Sequence, residues 1–265
     1  MSFVPVIPAN GYQGWVFLTR TLESQRTAFL SDPAISRATA AFQARIGEVK
    51  TAQDLVADRQ LLDVALTAFG LEADIDARAF IEKVLSEGTL SSNSFANRLS
   101  DKRYANLSRE FGFGDLGPRT GLTGFSDEIT ARFEARSFEA AVGNVDDRLR
   151  RALNLQQGLA DIFNSVSSPD ARWFAVMGDL PLRSVFEGAL GLPSSLGKLD
   201  LDRQLDTFKS RFETVFGSTD LSVLDDKAAQ ERLIRLYLVR TDATASSAVA
   251  PGSVALQLLA GAAAR

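Results

Sequence analysis

Four short stretches of this sequence carry residues whose types and spacing invite chemistry. Glu72, Asp74 and Asp76 alternate as the acidic ligands at the start of a calcium loop do. Asp101, Arg103 and Tyr104 place an acid, a fixed cation and a phenol close together, a set able to run carboxylate- or arginine-based catalysis. Arg148, Arg150 and Arg151, just after Asp146 and Asp147, form the densest basic run and are candidates for holding an anion. Gly112, Gly114, Gly117, Gly121 and Gly124 surround Pro118 in a stretch that resembles the glycine-rich loops of nucleotide sites.

Each stretch also has a plainer reading, and the plainer reading wins. A calcium loop beginning at Glu72 would have Ala77 where the tight-turn glycine belongs and Lys83 where the closing bidentate glutamate belongs. Asp76 instead reads as the cap of a following helix. Asp147 and Arg151 stand at i,i+4 on a helix, which gives a solvated, salt-bridged face. The glycine stretch lacks both a lysine-serine ending and a preceding strand, so it reads as a linker. Asp101, Arg103 and Tyr104 fit a capped surface helix. Asp200, Asp202 and Asp206 crowd a helix start, where the macrodipole favours carboxylates. Trp173, Phe174 and Met177 read as core before they read as a partner surface. No residue is therefore assigned as catalytic, cofactor-binding or metal-binding, and no cofactor is implied.

Composition narrows the chemistry further. The chain of 265 residues has no cysteine and no histidine. Thiolate chemistry, disulfides and iron–sulfur ligation are excluded, as are histidine-based nucleophilic triads and zinc sites of ordinary make-up. Oxygen-ligand cations and lysine or carboxylate catalysis survive that test. With 29 basic against 33 acidic residues the net charge is -4, so a nucleic-acid partner is not expected. No apolar run reaches the ~20 residues a membrane span needs. Residues 1–12 lack a basic flank and contain Pro5 and Pro8, so they do not make a cleaved secretory signal. A soluble, cytoplasmic protein is the default reading, with export by a flagellar-type route that cleaves no signal as its alternative.

The elements that position these residues are all helical. Apolar residues recur at spacings of three and four, as in Ile35, Ala38, Phe42 and Ile46, and again in Leu201, Leu205, Phe208 and Phe212. No strand pattern competes. Residues 1–13 read as a leader, 14–115 as an N-terminal helical unit, and 116–126 as a linker. Residues 127–166 read as one long central helix with a bend, weakest at Gly143. Residues 167–240 form a C-terminal helical unit and 241–265 a small-residue tail. The fold class is all-α, a bundle-like array around that central helix, which would run roughly 60 Å at 1.5 Å per residue. The chain supplies two sets of amphipathic helices to cover the helix's apolar stripe, so a monomer is expected rather than a homodimer. An echo between VALTAFGL (residues 64–71) and VFEGALGL (residues 185–192) raises the prospect of two related units, although both are also simply helix stops.

Several long stretches together resemble one family. They are KTAQDLVADRQLLDVALTAFGL (50–71), FIEKVLSEG (80–88), FANRLSDKRYANL (95–107) with the following EFGFG, WFAVMGDLPLRSVFEGALGLPSSLGKLD (173–200) and RLIRLYLVR (232–240). The chain is similar to an uncharacterised all-helical family of alphaproteobacteria such as rhodobacters and rhizobia, whose members are often encoded near flagellar genes. The resemblance implies a role in flagellar assembly, export or structure, with protein partners, and assigns no catalytic residue. The expected function is that of a non-enzymatic structural or protein-interaction protein. Two competing readings are a helical binder of a small molecule or peptide, in a groove between the units, and an enzyme built on carboxylates and arginine.

Overall fold

The computed structural model describes residues 3–248, and among these all regular structure is helical. The chain opens with α1 (Gly11–Leu30), α2 (Pro33–Arg45), α3 (Ala52–Ala57), α4 (Arg59–Ala68) and α5 (Arg78–Glu87). A short α6 (Phe95–Arg98), α7 (Arg103–Phe111) and the paired α8 (Phe125–Gly143) and α9 (Asp147–Ser165) follow. The chain continues through α10 (Pro169–Gly178), α11 (Leu180–Leu190), α12 (Leu201–Phe216) and α13 (Lys227–Ala248).

Local chemistry sets many of these boundaries. Thr51 and Asp54 form a reciprocal capping box at the start of α3, the Thr51 hydroxyl accepting from the Asp54 N–H at 3.1 Å and the Asp54 carboxylate from the Thr51 N–H at 2.9 Å. Asp58 breaks the chain after α3 and caps α4 by accepting from the Gln60 and Leu61 N–H groups. The two echoed segments are two copies of one stop. Gly70 and Gly191 take left-handed φ values of 69° and 66°. The leucine after each donates its N–H back across the turn, Leu71 to Leu66 and Leu192 to Glu187, both at 2.9 Å.

Some expected caps are displaced. Asp76 does not cap α5; it pairs with Arg59 at 2.7 Å, and Ala77 stands at the cap position without a side-chain bond. Ser94 precedes α6, and Gly124 with φ 85° precedes α8, which begins two residues ahead of the expected start at residue 127. Helix α13 runs on to Ala248 instead of stopping before Thr241. The Thr241 hydroxyl donates back to the Tyr237 carbonyl at 2.8 Å, a bond that leaves the helix intact. Of the small-residue tail, residues 249–265 lie outside the described residues.

The largest correction concerns the long central helix, which is two helices folded back on each other. Helix α8 ends at Gly143, Asn144 and Val145 make the turn, and Asp146 in extended conformation caps α9 by accepting from the Arg148 N–H at 3.0 Å. The antiparallel return is fixed at its far end, where Arg132 near the start of α8 reaches Asp161 near the end of α9 at 3.6 Å. The spacing of three and four slips twice, from Phe133 to Phe138 and from Leu153 to Leu159, but runs unbroken through the turn at Val142, Val145 and Leu149, because a hairpin buries one stripe on each arm just as a single helix would.

Packing divides the side chains between two main cores. One gathers Phe42 and Leu55 with Leu62, Ile81, Leu107 and the first half of α8, through Phe125, Ile129 and Phe133. The other gathers Trp15 and Leu18 of α1 with Phe138 and Val142 of α8, Leu149 to Ile162 of α9, and residues of α10 to α13. Helix α8 thus spans both. Helix α1 lies first in the sequence yet packs with the last: the Trp15 Nε1–H donates to the Glu231 carboxylate of α13 at 3.0 Å. Helices α9 and α11 approach closely at Gly158, where an added Cβ would come within 2.9 Å of Leu182.

Leu149, the third residue of α9, is wholly buried. Leu149→Asp places an unpaired charge there and is expected to cost about 3–5 kcal/mol. Thermal unfolding checks it, and wild-type melting would show that the second core does not close over the hairpin.

Candidate functional site

The hairpin's polar faces cannot enter either core, and they come to line a cleft between the two. Helix α8 contributes Arg132 and Arg136, and α9 contributes Gly158, Asp161 and Ile162. Ala68 and Phe69 close one side, and Phe174 and Ala175 of α10 close the other. The larger chamber has a volume of about 650 Å³. A smaller one of about 320 Å³ adjoins it, sharing Phe69, Arg103, Arg136 and Asp179. Volumes of this order suit a drug-sized ligand or a few side chains of a partner.

The arginines are held in place by carboxylates. Arg132 pairs with Glu128 at 3.2 Å as well as with Asp161, and its guanidinium lies 5.5 Å above the Phe69 ring. Arg136 pairs with the buried Glu139 at 2.9 Å. Arg150 pairs with Glu72 at 2.8 Å, and Arg151 pairs with Asp147 and donates to the Ser184 hydroxyl, both at 2.5 Å. Arg103 pairs with Asp101 and donates to the Gly70 carbonyl at the stop of α4. Lys102 and Arg109 line only the larger chamber, held by the Asn97 and Leu99 carbonyls and by the Asn106 side chain respectively.

Two acceptors on the smaller chamber are less well matched. Asp179 caps α11, its Oδ1 accepting from the Leu182 N–H at 3.0 Å, and it makes no ion pair among the described residues. Asn154 is 4% exposed, and its Oδ1 has no hydrogen-bond partner among the described residues. Burial pushes the Asp179 carboxyl above its ordinary range, against the Leu182 hydrogen bond and the nearby Arg103 and Arg136. Burial raises Glu139 likewise, opposed by Arg136.

The stretches that drew attention in the sequence scatter. Glu72, Asp74 and Asp76 serve three different partners: Arg150, the Tyr104 hydroxyl at 2.8 Å, and Arg59. Among the described residues no group of carboxylates is arranged to hold a metal. Of the candidate catalytic set only Arg103 lines the cleft. Tyr104 packs edge-on against Phe80, and burial together with Asp74 pushes its hydroxyl up to about 12. Of the basic run, Arg150 and Arg151 line the smaller chamber, while Arg148 is engaged by Asp146 and Asp242. Asp147 and Arg151 make the expected i,i+4 pair. Trp173 and Met177 are buried and Phe174 is 38% exposed on the cleft wall. Sequence reasoning missed Phe69, Arg132, Arg136, Asn154 and Asp179. The one available signal was Arg132, Arg136 and Glu139 on one polar face of α8, at spacings of four and three.

The fold and cleft define an all-helical protein of two packed cores with a polar seam between them. Residues 68–229 match the model of the family described as "Protein of unknown function (DUF1217)", and the chain belongs to that family. Every residue lining the two chambers falls inside the matched segment. The crystal structure of a protein from Agrobacterium tumefaciens is similar, with a TM-score of 0.70 and 25% identity, over 88% of this chain and 96% of that one. No curated protein matches the sequence. Among the described residues no helix is long and apolar enough to cross a membrane.

A raised carboxyl pKa has a definite sign in stability. The folded chain holds the Glu139 proton more tightly than the unfolded chain does, so its stabilising contribution is full below the ordinary value of 4.5 and is lost as pH rises through the folded value. Glu139→Gln keeps an acceptor for Arg136 and removes that titration. Relative to wild type, the variant is expected to gain stability as pH rises above 4.5. Urea unfolding across that range checks it; a constant difference at every pH would contradict the burial argument.

Proposed function

We propose that this chain is a non-enzymatic interaction protein, acting as a monomer, that receives a segment of a protein partner in the cleft between its two cores. The observation that carries this reading is the make-up of the cleft. Phe69, Ile162, Val166 and Phe174 offer apolar surface, and arginines already fixed by ion pairs offer oriented polar groups. Such a mixture suits a peptide, whose side chains bring both kinds of group. The commitment of those arginines to carboxylates, and of the Tyr104 proton to Asp74, speaks for recognition over catalysis. The partner is placed in flagellar assembly or export. That part rests on the family resemblance in the sequence, and an accessory role there accords with a chain built around a binding cleft.

Phe174→Asp puts a charge on the apolar wall at an exposed position and leaves both cores untouched. Affinity capture from motile cells with the wild-type chain is expected to recover flagellar export or basal-body proteins. The variant should melt as wild type does and recover at least about tenfold less, as loss of an apolar anchor gives. Leu116→Asp, on a residue 94% exposed far along the glycine-rich loop, should change nothing. Undiminished capture by the Phe174 variant would remove the cleft from the account. Capture of no flagellar protein, with normal motility in a deletion strain, would remove the flagellar role.

A further inference from the structure

Building on the cleft as a peptide site, we infer that its smaller chamber takes an arginine side chain of the partner segment, whose guanidinium donates to Asp179 and to Asn154. The charges on the chamber wall point this way. Four arginines line it, and each has its own carboxylate: Arg103 with Asp101, Arg136 with Glu139, Arg150 with Glu72, Arg151 with Asp147. The remaining carboxylate on the wall is Asp179, which has one oxygen on the Leu182 N–H and no ion pair among the described residues.

Asn154 is an independent sign. It belongs to a different helix, is buried, and its Oδ1 lacks a donor among the described residues. A buried acceptor left without a partner is costly, so a group that supplies the donor removes that cost. Both poorly matched groups are acceptors, which calls for a ligand rich in N–H and poor in lone pairs. A guanidinium is that group: five donors, no acceptor, and weaker hydration than an ammonium, which lowers the cost of entering a half-enclosed chamber. Arg103 and Arg136 also face Asp179, but their charge is offset by Asp101 and Glu139. Lys102 and Arg109 stand on the larger chamber, away from this wall. The stem of the incoming side chain would lie along Phe69 and Leu180, which line the same space.

The test uses the full chain and two small probes, N-acetyl-leucyl-arginine amide and its citrulline counterpart, which has the same shape without the charge. Titrations are followed by amide NMR shifts at Asn154, Leu180 and Ser184. The arginine probe is expected to shift these resonances and to bind at least about tenfold more tightly than the citrulline probe, as a charge-assisted hydrogen bond gives. Asp179→Asn retains a good helix cap and should erase that preference while melting as wild type does. Equal binding of the two probes, no binding of the arginine probe, or a preference that survives Asp179→Asn would each overturn the inference. It fails separately from the proposed function: loss of partner capture by Phe174→Asp with no arginine preference would sink the arginine site alone. Unchanged capture alongside a clear arginine preference would sink the partner reading alone.

Discussion

Asp146 holds three helices at one point. Its carboxylate accepts from the N–H and the guanidinium of Arg148 at the start of α9, and from the N–H of Gly11 at the start of α1, 3.5 Å away. Arg148 extends the network to Asp242 of α13. Burial pushes the Asp146 carboxyl up, but the hydrogen bonds from Arg148 and Gly11 outweigh it and leave the group below its ordinary range. The charge is therefore kept where the turn needs it. Because α8 stops just before this cap and α9 starts from it, the chain reverses, and both arms of the hairpin can be covered by the helices before and after them.

The cleft follows from that reversal. A straight helix would hold Arg132 and Asp161 more than 40 Å apart, at about 1.5 Å per residue; the hairpin brings them into an ion pair. Arg132, Arg136 and Asp161 stand on polar faces that neither core can bury at acceptable cost. The seam between the cores is where they meet solvent, and there Phe69 at the end of α4 and Phe174 on α10 supply apolar walls. The cleft is thus a by-product of how two helical cores share one bridging helix.

Much of the fold was legible in the sequence because its signals are local. Helix spacing, the Thr51–Asp54 box, the break at Asp58, the first-turn Pro169 and the Gly-Leu stops at Gly70 and Gly191 each act within a few residues. The reversal at residues 144–146 was not legible. Gly143 marked a weak point, but a bend and a full turn differ only in whether distant helices cover the two arms, and that is a tertiary matter. The cleft was still less visible. Phe69 and Asp179 lie 110 residues apart in the chain, and nothing in spacing along the chain brings them to one wall. The acidic and basic stretches that stood out by density proved to be tied to scattered partners: Glu72 to Arg150, Asp74 to Tyr104, Asp76 to Arg59, and Arg148 to Asp146 and Asp242.

The central claim is that the partner lies in the seam between the cores. Site-specific photo-crosslinking tests it directly, with a benzophenone amino acid placed in the full chain at position 109 on the cleft rim or at position 116 on the glycine-rich loop, and expressed in motile cells. Covalent adducts to one partner protein from position 109, and none from position 116, are the predicted result. Adducts from position 116 with none from position 109 would place the binding surface elsewhere and contradict the account.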